Sequence, residues 1–194
     1  LTENSEVDER TLMESYLPAF RKTLEAKPYT VMCSYNMVNG VYASENKRLL
    51  KGILRDKFGF GGVIVSDWGA VKDRAKSLKA TLDLEMPDFN DRAAQIKNAL
   101  NAGFITEEEI DESVERLLTL IKKVEKDRKI RKVTRTKEER KELAEKIAEE
   151  GIVLLKNEGN VLPLKAGAKI DLFDIWGASQ MLSGGGSAKV ETDK

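Results

Sequence analysis

The stretch VIVSDWGA, residues 63–70, decides the fold class. Its first three residues are apolar and β-branched, which predicts a strand buried on both faces, as the strands of parallel sheets are. The strand leads directly into Asp67 and then Gly69, so it ends in a turn that carries a carboxylate. Because ligands bind at the carboxyl ends of parallel strands, this stretch predicts both a parallel sheet and a functional role for Asp67.

The same alternation of helix and buried strand continues on both sides of this stretch. Apolar residues at helical spacing predict helices, and short apolar runs predict strands. The other predicted strands are 29–35 and 80–86, and the predicted helices are 7–26, 46–58, 70–79, 91–102, 106 to about 124, and 136–150. Pro18 should kink or shorten the first helix. Residues 36–40 have the composition of a turn, and Thr106 with Glu109 forms a capping-box pattern. This order predicts an α/β fold in which helices cover a parallel sheet. An eight-stranded barrel takes ~250 residues, so these residues would form only part of one.

Composition narrows the chemistry that is possible within the chain. The 194 residues carry 33 basic and 33 acidic side chains, and this zero net charge argues against attraction to nucleic acid or to anionic membranes. Histidine is absent, which excludes histidine-based triads and histidine-ligated metals within the chain, and no metal site is expected. The single cysteine, Cys33, is predicted to be a small buried strand residue. The cysteine usage and the lack of a secretory pattern favour the cytoplasm.

The candidate reactive groups are therefore carboxylates. Asp67 either reacts with a ligand or caps the following helix, and the flat apolar face of Trp68 suits one side of a sugar ring. Tyr35 ends a neighbouring predicted strand in the same way, so its side chain could enter the same pocket. Asp83 and Glu85 share one face of the predicted strand 80–86. They could be an acid/base pair or a metal site, or one could be an ion-pair partner and the other a residue that supports the site.

A basic stretch divides the chain. Residues 122–135 hold eight basic and two acidic residues, a net charge of +6. They contain no aromatic residue that could stack on a base, so they predict an exposed linker rather than a nucleic-acid site. The predicted domains are therefore 1–121 and 136–194, joined by the linker 122–135.

Taken together, the motifs of the chain resemble glycoside hydrolase family 3, the β-glucosidase type. The matching strings follow the family order along almost the whole chain: VMCSYN at 31–36, VNG at 38–40, VSDWGA at 65–70, LDLEMP at 82–87, ITEEEIDESV at 105–114, AEEGIVLLKN at 148–157 and VLPL at 161–164. The resemblance implies the C-terminal part of a TIM-like barrel, a linker, and the first part of a three-layer α/β sandwich. The family's general acid/base would lie outside this chain, so the chain alone is expected to be inactive.

The resemblance also implies an activity and a set of site residues. The expected reaction is hydrolysis of terminal β-linked glucosyl or related sugars, with retention and without a cofactor. The expected ligand is a small-molecule β-glycoside or an oligosaccharide. Asp67 would be the nucleophile; Met32, Tyr35 and Trp68 would line the sugar site, and Ser187 would reach the same pocket from the second domain. The alternative function is a non-catalytic carbohydrate-binding or interaction module on the same fold.

Overall fold

The computed structural model describes residues 3–89, 91–130, 134–171 and 173, and the chain divides into two compact units, Leu1–Val133 and Thr134–Lys194. In the first unit, β2 (Thr30–Cys33) and β5 (Val63–Ser66) pair in parallel, with Cys33 opposite Ser66. Both strands and their parallel direction were predicted, and both predictions are confirmed.

The predicted strand 80–86 is wrong, although the segment does lie beside β5. It contacts β5 through an isolated parallel bridge between Leu84 and Val65. The reason is the Asp83 side chain, whose Oδ2 accepts the Ile64 N–H at 2.8 Å. In a regular ladder a backbone carbonyl would accept that hydrogen bond, so the carboxylate replaces the strand pairing at this point.

A small second sheet is formed by strands that lie before and after the first helices in the sequence. β3 (Met37–Val38) and β4 (Val41–Tyr42) form an antiparallel hairpin, and β1 (Asn4–Ser5) pairs in parallel with β3. The hairpin turn consists of Asn39 and Gly40, with φ of 52° and 81°. Both residues tolerate positive φ, which the tightest hairpin turns require. The turn predicted at 36–40 is confirmed at its last two residues, whereas Met37 and Val38 lie in β3.

The predicted helix 7–26 changes its winding before Pro18. It consists of α1 (Glu9–Thr11), the π-type segment Leu12–Tyr16, and α2 (Leu17–Leu24). Pro18 lies in the first turn of α2, where a missing N–H is tolerated. The predicted interruption of the helix near Pro18 is therefore a change to π-type winding in the segment Leu12–Tyr16.

The remaining helices of the first unit follow the predicted order. They are a 3₁₀ turn (Ala43–Glu45), a π-type helix (Arg48–Lys57), α3 (Arg74–Lys79), α4 (Arg92–Asn101) and α5 (Glu107–Ile130). The capping box that opens α5 is confirmed, since Glu109 N–H donates to Thr106 Oγ1 at 3.3 Å and Thr106 N–H donates to Glu109 Oε2 at 3.1 Å. α5 continues beyond the end predicted near residue 124.

The core of the first unit lies directly beneath β5. Ile64 and Leu82 are fully buried and pack with Leu50, Leu54 and Phe60. Because β5 is packed on both sides, the position of Asp67, the residue that follows it, is fixed by the core.

The second unit contains α6 (Lys137–Gly151), which confirms the helix predicted there. Its capping box joins Thr136 and Glu139 through hydrogen bonds of 2.7 and 3.1 Å. Residues 152–171 of this unit, as far as they are described, form no strand. Ser187, the predicted contributor to the sugar pocket, lies outside the described residues. Of the helices described in the chain, none is both long and apolar enough to cross a membrane.

Candidate active site

Asp67 lies at the carboxyl end of the parallel pair, as predicted. It follows β5 directly, and its N–H donates to the carbonyl of Cys33, the last residue of β2, at 3.0 Å. This hydrogen bond continues the parallel ladder by one residue. The backbone of Asp67 is therefore fixed by the sheet rather than by a free loop.

A tight turn orients the carboxylate of Asp67. Ala70 N–H donates to the Asp67 carbonyl at 3.1 Å, and Gly69, with φ of 72°, occupies the position where such a turn needs positive φ. Within the turn, Trp68 N–H donates to Asp67 Oδ1 at 2.6 Å. Among the described residues, no hydrogen-bond donor contacts the second oxygen, Oδ2, so one carboxylate oxygen is held and the other is available.

The other predicted site residues lie around these strand ends. Trp68 and Tyr35 are exposed and follow β5 and β2. Met32 lies within β2, opposite Val65, and lines a largely apolar cavity of about 360 Å³. Asp67, Tyr35 and Trp68 are not among the residues that line this cavity. The structure thus brings Asp67, Trp68 and Tyr35 to one edge of the sheet and places Met32 on the strand beside it.

Asp83 is an ion-pair residue. Its side chain is completely buried, and it accepts from Arg55 Nη2 at 2.7 Å, from Arg116 Nε at 2.8 Å and from the Ile64 N–H at 2.8 Å. Burial lowers the pKa of the Arg55 guanidinium, and the charge of Asp83 opposes that shift. With two guanidinium partners and a backbone donor, Asp83 joins the π-type helix and α5 to β5.

Glu85 is also an ion-pair residue. Its Oε1 lies 2.9 Å from Arg92 Nη2, and its Oε2 lies 3.9 Å from Arg74 Nε. Arg92 in turn donates to the carbonyl of Val71 at 3.0 Å, just beyond the turn that carries Asp67. Of the interpretations that the sequence left open for Asp83 and Glu85, these contacts favour ion pairing.

Cys33 confirms the prediction of a buried strand residue. It is 6% exposed, and burial raises the pKa of its thiol to about 11. The protonated thiol is a poor nucleophile and a poor metal ligand. Within the described residues, no three histidine, cysteine, aspartate or glutamate side chains form a group that could hold a metal ion.

Sequence reasoning missed two fully buried serines, Ser44 and Ser66, which contact the backbone around Asp67. Ser66 is visible only as a polar residue that closes an apolar run. Ser44 carries no local signal at all, because its contact with Ala70 joins residues 26 positions apart.

Residues 2–120 match the model of the glycosyl hydrolase family 3 N-terminal domain. The chain belongs to glycoside hydrolase family 3. The family match covers the first unit up to α5 and includes Asp67, Trp68 and Tyr35.

Individual relatives show the extent of the similarity. The chain is 39% identical to the thermostable beta-glucosidase B of Acetivibrio thermocellus over 98% of its own length and 25% of that protein. It is 37% identical to an exo-alpha-(1->6)-L-arabinopyranosidase of Bifidobacterium longum, again over 98% of the chain, and spans 26% of that protein. The chain therefore spans about a quarter of the length of these relatives.

A solved structure agrees with this relationship. The beta-glucosidase from Kluyveromyces marxianus in complex with glucose superposes with a TM-score of 0.70 at 39% identity. The superposition covers 84% of this chain and 21% of that one.

Proposed function

We propose that the chain carries the nucleophile of a retaining β-glycosidase that removes terminal β-linked glucosyl or related sugars. The observation that supports this most directly is the geometry of Asp67. One carboxylate oxygen is held by the Trp68 N–H at 2.6 Å, while the other is without a donor among the described residues and lies at the carboxyl end of a parallel strand pair. A nucleophile needs such an arrangement, because one oxygen sets its direction and the other attacks.

In the first step, an Asp67 oxygen attacks the anomeric carbon, and the bond from that carbon to the leaving oxygen breaks. The bonding electron pair leaves with that oxygen, which takes a proton from a second carboxyl group roughly 5–5.5 Å from the nucleophile. In the second step, the second carboxyl group, which is now ionised, removes a proton from water. The water oxygen replaces Asp67 on the anomeric carbon, and the two inversions give net retention.

The remaining assignments complete the proposed site. Trp68 and Tyr35 provide flat faces for the apolar side of the sugar ring, and Met32 and Ser187 line the same subsite. No cofactor is required, and the second carboxyl group comes from outside this chain. Within the family architecture, residues 1–121 form the end of a TIM-like barrel, residues 122–135 a linker, and residues 136–194 the start of an α/β sandwich. The chain alone is then inactive.

Covalent trapping tests the proposal in the longest natural polypeptide that contains this chain. A 2-deoxy-2-fluoro-β-glucoside with an activated leaving group slows both steps, because the fluorine destabilises the cationic transition state, and hydrolysis slows enough for the glycosyl-enzyme to accumulate. We expect mass spectrometry of proteolytic peptides to find the sugar on Asp67. The substitution Asp67→Ala should lower turnover of 4-nitrophenyl β-glucoside by about four orders of magnitude or more.

Azide supplies the matched control. In Asp67→Ala it occupies the vacated space and attacks the same carbon, which should restore part of the turnover and yield an azide product of inverted configuration. Asp83→Asn and Glu85→Gln should show no such rescue, since both residues are ion-pair partners. A label on another residue would overturn the assignment of Asp67. Binding of sugar without any turnover or label would favour the non-catalytic module.

A further inference from the structure

Ser66, one residue before Asp67, binds the end of β5 to the backbone of Met86. Its side chain is fully buried; its Oγ accepts the Met86 N–H at 2.8 Å and donates to the Met86 carbonyl at 3.4 Å. The same carbonyl accepts the Gly69 N–H at 2.9 Å. Met86 is thus bound to both sides of Asp67, on one side by the Ser66 hydroxyl and on the other by the backbone of the turn.

Ser44 binds the other end of the Asp67 turn, at Ala70. It lies in the 3₁₀ turn Ala43–Glu45, is fully buried, and donates from Oγ to the Ala70 carbonyl at 3.1 Å. Ala70 is itself fully buried and closes the turn through its N–H bond to the Asp67 carbonyl. A shift of Ala70 is therefore transmitted directly to Asp67.

We propose that Ser66 and Ser44 are positioning residues that set the attacking oxygen of Asp67. This inference rests on the proposed role of Asp67 as nucleophile. A buried polar group is costly unless it is paired, so the serine hydroxyls are held to these backbone partners and not to water. Without them, the Met86 N–H and the Ala70 carbonyl lose partners, and the backbone on either side of Asp67 moves to find new ones. Since a misplacement of 1 Å can cost about 10²-fold in rate, small movements here matter.

The chain offers a matched control in Ser77 of α3. Ser77 is also fully buried, donates from Oγ to the Arg74 carbonyl at 3.0 Å and accepts from Arg74 Nη1 at 3.3 Å. Ser77→Ala therefore removes one accepted and one donated hydrogen bond, as Ser66→Ala does, but it leaves the turn around Asp67 intact.

The test is a double-mutant cycle in the longest natural polypeptide that contains this chain. With Asp67 present, we expect Ser66→Ala and Ser44→Ala each to lower kcat for 4-nitrophenyl β-glucoside by about tenfold or more. KM should change by less than about threefold, because the sugar contacts remain. With Asp67→Ala assayed in azide, the same serine substitutions should have no further effect, because azide does not depend on the position of Asp67. Ser77→Ala should leave kcat unchanged in both backgrounds.

A loss that persists in the azide-rescued background would overturn the inference, because the serines would then act on the fold or on the sugar rather than through Asp67. Serine variants no slower than Ser77→Ala would overturn it as well. If Ser66→Ala fails to fold, Ser44→Ala decides the outcome, since it keeps β5 and its partners intact. Failure of the proposed function itself is separate, because it shows as an Asp67→Ala variant that stays active without azide.

Discussion

At the scale of single residues, Cys33 shows how burial controls reactivity next to the candidate nucleophile. Its carbonyl accepts the Asp67 N–H at 3.0 Å, while burial raises the pKa of its thiol to about 11. A free cysteine has a pKa near 8.5 and reacts as the thiolate. We therefore expect iodoacetamide at pH 8.5 to modify Cys33 about 100-fold more slowly in the folded protein than in urea, as measured by mass spectrometry.

The raised pKa of Cys33 also makes the stability of the folded protein depend on pH. Because the folded state keeps the proton to a higher pH, the contribution of Cys33 to stability is fully present below the ordinary pKa of an unfolded thiol and is lost as pH rises towards about 11. The Cys33→Ala variant should lack this part of the decline. Equal alkylation rates in the folded and unfolded protein would contradict the burial of this thiol.

The sequence predicts some features of the candidate site and not others, because only some of them depend on residues close together along the chain. The position of Asp67 at the carboxyl end of a strand is predictable from the apolar run before it, and its turn is predictable from Gly69. Ser44 and Ser66 are not predictable, because a serine pairs with whatever backbone group the tertiary structure brings near it. Their partners, Ala70 and Met86, lie 26 and 20 positions away along the chain.

At the scale of elements, Asp83 replaces part of a strand. The apolar run around it has the composition of a strand, but a buried carboxylate accepts the Ile64 N–H in place of a backbone carbonyl. Short-range sequence patterns do not reveal this replacement, because the buried charge of Asp83 is stabilised by Arg55 and Arg116. These arginines lie 28 and 33 positions away along the chain. The capping box at Thr106 and the turn at Asn39, by contrast, depend on residues within one turn of chain, and both were predicted correctly.

Replacing Asp83 with alanine should destabilise the first unit strongly. The substitution leaves two largely buried guanidiniums and the Ile64 N–H without their acceptor. Breaking a buried pair in this way costs about 3–5 kcal/mol. Urea unfolding should show a decrease of that size in the free energy of unfolding.

The control for this prediction is Asp56→Ala. Asp56 pairs with Lys51 at 3.1 Å on the surface, where both side chains are about half exposed, and such pairs contribute about 0–1 kcal/mol. Similar losses for Asp56→Ala and Asp83→Ala would show that the buried network contributes no special stability.

At the scale of the whole molecule, the boundary between the two predicted domains can be found with a protease. Residues 134–136 are exposed and lie outside any helix, whereas Lys122 and Lys123 lie inside α5. Trypsin binds an extended backbone, so a helix protects its own peptide bonds. Within the stretch 122–135, we expect limited digestion to cut after Arg135 before it cuts after Lys122 or Lys123.

Peptide mapping over a time course identifies the first site. The Arg135→Gln variant should lose this early cut and retain the later ones. Early cleavage at Lys122 or Lys123 would instead place the flexible boundary within α5 and would contradict the predicted order of cleavage.

The triad of Asp83, Arg55 and Arg116 also has a consequence for inheritance. One carboxylate accepts hydrogen bonds from two guanidiniums and a backbone amide. Loss of the aspartate therefore leaves two buried guanidiniums without their shared acceptor, whereas loss of one arginine still leaves a matched pair. During divergence of the family the aspartate should therefore be retained wherever both arginines are retained. A lineage that has lost the aspartate should also carry changes at both arginines.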